Sequence, residues 1–328
     1  MPKLRAGVVG VGVMGANHVR VLSNLDGVEL VGVADSNSVK ITLPTNVKFV
    51  RSVEELIALG IDYCVIAAPT IQHESLALKL IESGIHILVE KPLAHSHESA
   101  LTITKAAKIK GIVAGVGHIE RFNSALQQAR KRVLQGELGA LYQIATRRQS
   151  PFPSRISDVG VVKDLATHDI DLTPWITGRE YRQVSANAAF RSGQEFEDLI
   201  TINALLDDNV VVNHVVNWLS PMKERKVIIT GENGTFVADT LQADLTYYEN
   251  GKVDISKSEI AFFRGMTQGD VHTFAFEKPE PLYVEHVNFR DRILGKSVEI
   301  VTLDEGCRTV CVAEAVIESY QKLETIKL

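Results

Sequence analysis

Leu4-Arg5-Ala6-Gly7-Val8-Val9-Gly10-Val11-Gly12-Val13-Met14-Gly15 is the stretch that decides the fold. A mostly apolar run reads as a strand buried on both faces, breaks on Gly10-x-Gly12-x-x-Gly15, and is followed by a helical pattern to Leu25. The glycines have separate steric tasks. One permits the tight turn, the next lets backbone approach a pyrophosphate, and the third lets helix and strand pack closely, while the helix N-terminus offers N–H groups to the anion. The strand before and the helix after separate this motif from a merely glycine-rich turn, and Gly10, Gly12, Val13, Met14 and Gly15 are expected to hold a dinucleotide. Twenty residues beyond Gly15, Asp35 follows a second strand, Val28 to Ala34. A carboxylate there accepts hydrogen bonds from ribose hydroxyls and repels a 2′-phosphate. Ser36-Asn37-Ser38 bring no arginine to neutralise one, so NAD is expected rather than NADP.

The same alternation continues outward. Strands at Val47–Val50, Tyr63–Ala68, Ile85–Val89 and Ile112–Val116 are separated by helical patterns, one opened by Ser52 with Glu55 as a capping box. That makes six strands and predicts an α/β, doubly wound parallel sheet over about 1–120. From His118 the rhythm changes: strand-like segments follow one another between 142 and 249, and helical patterns close the chain at 283–294 and 304–323. The expectation is an α+β domain over 121–328 with a large open, mostly antiparallel sheet, in which the helix at about 304–325 is a candidate to pack back on the first domain.

Composition limits the partners. With 328 residues, 45% hydrophobic and 23% charged, the chain is long enough for two cores and too ordinary for a disordered or disulfide-framed protein. Lys+Arg of 35 against Asp+Glu of 40 gives a net charge of −5, with no general reason to bind nucleic acid. Three cysteines imply a reducing, cytoplasmic setting. Cys307 and Cys311, four apart, lack further ligands and read as packing residues, so no metal is expected. The apolar run from Ala6 to Ala16 has the length of a secretory h-region, but its glycines and the closing Asn17-His18 argue against one, and no stretch is long enough to span a bilayer.

Two further stations carry chemistry. Glu90-Lys91-Pro92 lies just past the fifth strand, at the carboxyl edge where open α/β sheets place ligands. Asp164 to Ile176 reads as a helix on which Asp164, His168 and Asp171 share one stripe, with Pro174 expected to end or kink it. A His paired with Asp is a competent general base near neutral pH, with metal binding as the weaker alternative.

These residues form a set. The glycine motif, Ala67-Ala68-Pro69-Thr70 followed by His73, Glu90-Lys91-Pro92, Gly117-His118 with Arg121-Phe122-Asn123, and Asp164 with His168 together resemble the glucose–fructose oxidoreductase, inositol dehydrogenase and MocA family over nearly the whole chain. The resemblance implies a Rossmann domain in which Ala68, Pro69, Thr70, His73, Glu90 and Lys91 join the cofactor contacts, and a second domain carrying substrate and oligomer contacts. It implies catalysis by Lys91, Asp164 and His168. Val161-Val162-Lys163 stand where family members commonly carry glycines, which adds a cation and points away from a simple cyclitol. The segment from Pro151-Phe152-Pro153-Ser154-Arg155 through His168-Asp169-Ile170-Asp171 looks like the branch that includes UDP-N-acetylglucosamine 3-dehydrogenases.

Arg147, Arg148, Arg155 and Lys163 cluster in sequence before the helix, and guanidinium groups suit a diphosphate. The expected substrate is therefore a sugar or nucleotide sugar held by Lys91, Arg121, Asn123, Arg148, Arg155, Lys163, Asp164 and His168. Expected chemistry is hydride transfer from a carbinol to NAD, with His168 as base, Asp164 orienting it and Lys91 stabilising the alkoxide; Lys91 and His168 could exchange roles. The alternatives are an inositol or simple-sugar dehydrogenase, and a non-catalytic regulator that senses NAD or a sugar. The outer face of the antiparallel sheet is expected to pair with another copy, giving a homodimer or homotetramer.

Overall fold

A computed structural model describes residues 3–37, 42–153, 159–193, 195–251 and 267–328. The chain divides into two compact units, one of residues 1–122 with 279–314, the other of 123–278 with 315–328. Ser38 and Arg155 lie outside the described residues.

The first unit begins β1 (Leu4–Val9), α1 (Val13–Leu22), β2 (Val28–Ala34), β3 (Lys48–Val50), α2 (Val53–Ala58) and β4 (Tyr63–Ile66). It continues with α3 (His73–Glu82), β5 (His86–Glu90), α4 (His97–Lys110) and β6 (Ala114–Gly117). All six strands pair in parallel in the order β3-β2-β1-β4-β5-β6. Strand order reverses beside β1, the switch point where such sheets bind nucleotides. Strand side chains alternate between two cores: Cys64 and Ile66 of β4 join the one with Leu56, Val89 and Ile103, while Tyr63 and Val65 join the one with Val8, Leu22 and Val33. Both faces are covered, which is why these strands read as continuous apolar runs. The Ser52 hydroxyl accepts from Glu55 N at 3.2 Å, and the Glu55 carboxylate accepts from Arg51 N rather than Ser52 N, a capping box displaced by one residue.

The second unit opens with α5 (Ser124–Leu134) and β7 (Leu141–Pro151). A π-helical turn, Val162–Ala166, then runs directly into α6 (Thr167–Thr177). Strands β8 (Tyr181–Ala189), β9 (Leu199–Leu206), β10 (Val211–Asn217), β11 (Leu219–Gly231), β12 (Gly234–Asp239), β13 (Asp244–Gly251) and β14 (Thr267–Thr273) follow. The β9–β10 connection turns at Asp207–Asn209, where Asp208 and Asn209 take φ of +56° and +59°, a region these side chains tolerate. β13 runs through Asn250 and ends at Gly251. α6 passes Pro174 and stops at Gly178, φ +66°, so the proline neither ends nor defines the helix boundary.

The chain then returns to the first unit with α7 (Pro281–Ile293), enters α8 (Leu303–Lys322), and ends in the second unit with β15 (Ile326–Lys327). The division therefore falls within α8: the second domain expected over 121–328 is interrupted by 279–314, and of the helix expected to pack back on the first domain the part up to 314 belongs to the first unit. Packing gives the reason: Phe289 meets Tyr63 edge-on at 5.7 Å, and Leu303, Cys307 and Val310 complete the core with Val116 and Leu93. With β15, the second sheet has nine strands in the order β14-β13-β12-β11-β7-β10-β9-β8-β15, antiparallel except for β7 and β10. One face is buried, as in Ile200, Ile202, Ala204 and Leu206 of β9, and α5 and α6 pack on this sheet. Leu199, Thr201, Asn203 and Leu205 alternate onto the other face and remain partly or fully exposed.

Candidate functional site

In the first unit, the expected cofactor residues converge on the carboxyl edges of β1, β2, β4 and β5. Gly10 has φ +84°, and a Cβ there would lie 2.6 Å from Ala67 O and Ala68 N, so the turn after β1 presses on the segment after β4. A Cβ on Gly15 would strike the Gly10 carbonyl, whereas a Cβ on Gly12 would meet no protein atom. Gly12 thus presents bare backbone to open space at the N-terminus of α1, where no side chain caps the helix. Val13 beside it is exposed and Met14 half-buried. This is the cradle a pyrophosphate requires. Asp35 Oδ2 accepts from Val11 N and Oδ1 from Asn37 N, both at 2.8 Å, which fixes the carboxylate beside the turn and leaves lone pairs for ribose hydroxyls. The donor set fits NAD. Sequence reading missed Arg51, whose guanidinium reaches Ser36 O at 3.3 Å and stacks over Phe49; only the pairing of β2 with β3 brings it there.

His73 is buried at the start of α3, with Nδ1 3.0 Å from Pro92 O and Nε2 2.9 Å from Ala68 O. It joins the Ala68-Pro69-Thr70 segment to the loop after β5, and burial holds its imidazole below the usual histidine pKa. Glu90 and Lys91 follow strand alternation, Glu90 turned inward and Lys91 half-exposed. The inward carboxylate lies 2.9 Å from His18 Nε2 and accepts from Lys91 N at 3.1 Å. Burial works to raise the Glu90 pKa, but the bond to His18 and the charges of His18 and Lys91 hold it below the ordinary carboxylate range. Arg121, expected at a substrate, is buried and donates to Glu305 at 2.6 Å, inside the same unit.

In the second unit, the π-helical turn carries Lys163 and Asp164, and His168 follows in the first turn of α6; all three are half-buried. Glu197 fixes the turn's start. Its Oε1 accepts from Val162 N at 3.0 Å, its carbonyl from Val161 N at 2.9 Å, and a Cβ on Gly160 would collide with its carboxylate. The wider turn alters the angular spacing expected of an α-helix, and Asp171, expected on the same stripe as Asp164 and His168, is buried instead.

Asp169 is also buried and forms a two-point ion pair with Arg148 of β7, Nε to Oδ2 at 2.9 Å and a terminal nitrogen to Oδ1 at 3.3 Å. Deeper in the sheet, His214 lies 2.7 Å from the Thr146 hydroxyl and 3.0 Å from the Tyr181 hydroxyl, and burial pushes its pKa down to about 4. Arg148 is therefore engaged inside the unit, which argues against its expected place on a diphosphate. Asn123 is a helix cap: Oδ1 accepts from Ala125 N, and its amide donates to Thr240 O, both at 3.0 Å. Trp218 and Phe122 are core residues, as their apolar surroundings lead one to expect.

Comparison with known proteins agrees with this geometry. Residues 4–156 match the family model GFO_IDH_MocA, "Oxidoreductase family, NAD-binding Rossmann fold", and residues 126–237 match the "GFO/IDH/MocA C-terminal domain". The UDP-N-acetylglucosamine 3-dehydrogenase of Acidithiobacillus ferrooxidans is 29% identical over 254 residues, 76% of this chain and 79% of that protein. A myo-inositol dehydrogenase of Streptomyces leeuwenhoekii is 32% identical over 240 residues, 69% of this chain and 74% of that protein. A solved structure of the A. ferrooxidans 3-dehydrogenase superposes with a TM-score of 0.83 at 25% identity, covering 98% of this chain and 99% of that one. Among the described residues, no helix is long and apolar enough to cross a membrane.

Proposed function

We propose a reaction for this chain on the premise that it belongs to the Gfo/Idh/MocA family and is an NAD-dependent dehydrogenase acting on CH–OH groups: oxidation of a nucleotide sugar of the UDP-N-acetylglucosamine kind at its C3 carbinol. The observation that carries the choice of substrate is the near end-to-end likeness to the A. ferrooxidans 3-dehydrogenase, 98% of this chain against 99% of that one. Lys163, standing where the family commonly has glycine, adds a cation beside Asp164 for an anionic substrate.

NAD, when bound, supplies the hydride acceptor. The chain's own residues do the rest. The Gly10–Gly15 turn and the N-terminus of α1 hold the pyrophosphate, and Asp35 the adenosine ribose. His168 takes the carbinol proton, Asp164 orients its imidazole, and Lys91 stabilises the developing alkoxide through a charged hydrogen bond. Lys91 could instead serve as the base with His168 as donor; both assignments need the same residues. The exposed face of the nine-stranded sheet, with Leu199, Leu205, Val211 and Ile228 on it, is the surface proposed to pair with a second copy, and the cytoplasm is the proposed setting.

A second reading, an inositol or simple-sugar dehydrogenase, is favoured by the internal engagement of Arg148, which removes one cation from the expected diphosphate cluster, and of Arg121, which removes another from the expected substrate contacts. Nicotinamide reduction measured with UDP-N-acetylglucosamine, free N-acetylglucosamine and myo-inositol separates the two. Turnover of the UDP-sugar alone is expected; turnover of myo-inositol alone would replace the first reading with the second.

A further inference from the structure

Among the buried titratable groups of the first unit that the proposed mechanism leaves unused are Glu90 at the end of β5, His18 on α1, and Glu285 and His286 on α7. Three form a continuous chain. Glu90 Oε1 lies 2.9 Å from His18 Nε2, and His18 Nδ1 lies 2.8 Å from His286 Nε2, with the two rings edge-on at 5.0 Å. The near end of this chain accepts from Lys91 N. Its carboxylate also lies against β6, where a Cβ on Gly117 would come within 3.2 Å of it.

We propose that His18 and His286 are positioning residues for the dehydrogenase reaction: the chain α7–α1–β5 holds one negative charge, on Glu90, against Gly117, and through it sets the position of Lys91. The role given to Lys91 rests on the function proposed above; the chain itself does not.

Hydrogen-bond logic assigns the protons. An ionised Glu90 only accepts, so His18 Nε2 carries hydrogen. With that hydrogen on His18 Nε2, His18 Nδ1 accepts from Nε2–H of His286, and His286 Nδ1, which has no partner among the described residues, is left with a lone pair. The opposite arrangement would bury an orphaned N–H donor, which costs more. Burial and the charge of Glu90 raise the Glu285 pKa well above the carboxylate range, while burial and His18 lower that of His286, in agreement with one neutral acid and one neutral imidazole. The other charged groups near the chain are Lys91, His118, and Glu120 and Arg121 of the turn packed on α7, Arg121 being bridged to Glu305 of α8; Arg20 and Glu280 form an ion pair at the exposed end of α7. Lys91 is the cation that adjoins Glu90 in sequence.

The test uses the full-length protein with NAD. Imidazole ¹⁵N spectra of the wild type should show hydrogen on Nε2 of both histidines, and Glu90→Gln should shift the signals of His18 and also those of His286. Unmoved His286 signals would overturn the chain. With UDP-N-acetylglucosamine, His18→Leu should lower kcat about 10- to 100-fold with NAD affinity held within about 3-fold, and His18→Gln, which keeps a donor for Glu90, should recover most of the loss. Glu90→Gln, which removes that negative charge, should change the pH–kcat profile. Glu285→Gln, a neutral replacement for a neutral acid, should leave activity and the pH profile unchanged; a shifted limb there would overturn the charge assignment. Equal kcat and identical limbs in His18→Leu and His18→Gln would reduce His18 to a packing residue. Should His18→Leu fail to fold, Glu90→Gln and His18→Gln carry the test. Full activity in Lys91→Met with coupled histidine signals intact would defeat the role of Lys91 and leave the chain standing.

Discussion

Glu90 and Asp169 stand at corresponding stations in the two units. Each is the sequence neighbour of a candidate catalytic side chain, Lys91 or His168, and each turns inward into a buried polar network. The networks differ in how they balance charge. In the second unit, Arg148 and Asp169 close a two-point ion pair in which each charge has its opposite at hydrogen-bond distance. In the first, Glu90 is linked through His18 to His286, and the cation adjoining it in sequence is Lys91. A closed pair fixes a helix whatever the active-site chemistry does. An open chain leaves the balancing charge where the chemistry is proposed to need it.

The comparison can be broken in several ways, and the largest expected effect is on turnover. His168→Ala should retain NAD binding and lose activity about 10²- to 10⁴-fold, because it deletes the proposed base and leaves the Arg148–Asp169 pair intact. Steady-state kinetics with a parallel NAD titration checks both halves.

Next comes stability. Asp169→Asn strands a buried guanidinium and should destabilise the fold by about 3–5 kcal/mol, read from urea unfolding. Glu285→Gln, on the open chain, should change the same midpoint by less than about 0.5 kcal/mol.

A pH scan sharpens the contrast. The His214 pKa falls from about 6.5 in the unfolded chain to about 4 in the fold, so the native state favours the neutral ring. Its contribution is complete above pH 6.5 and is lost as pH falls toward 4, roughly 3 kcal/mol in all. His286 and His73 act in the same direction. His214→Gln should flatten the acid limb of the stability curve measured by thermal unfolding at stepped pH. The smallest effect is Gly12→Ala, whose Cβ meets no protein atom. It should leave Tm unchanged and weaken NAD binding about tenfold by intruding on the pyrophosphate.

What was legible in the sequence divides along similar lines. The Gly10–Gly15 turn and Asp35 follow from local backbone sterics and strand period, so residues a few positions apart sufficed, whereas Glu90, expected at the cofactor, is turned inward onto His18, 72 residues away. The Arg148–Asp169 pair joins different elements 21 residues apart, and a basic cluster on paper gives no sign of which arginine turns inward. The π-helical turn was hidden as well, because one widened turn has no compositional mark, and it displaced Asp171 from the expected stripe. Glu197, which fixes that turn, is 35 residues from its partner Val162. The return of the helix at about 304–325 was expected and its first part, to 314, does join the first unit, but the return of 279–303 was missed because amphipathic helices announce an apolar face but not the sheet it covers.

Lys91 offers the most direct test of the account. Nicotinamide reduction by UDP-N-acetylglucosamine should be compared in the wild type and in Lys91→Met, with NAD binding confirmed in each by titration. The account predicts substrate-dependent reduction in the wild type and none above background in the variant. Equal rates in the two NAD-bound proteins would contradict it.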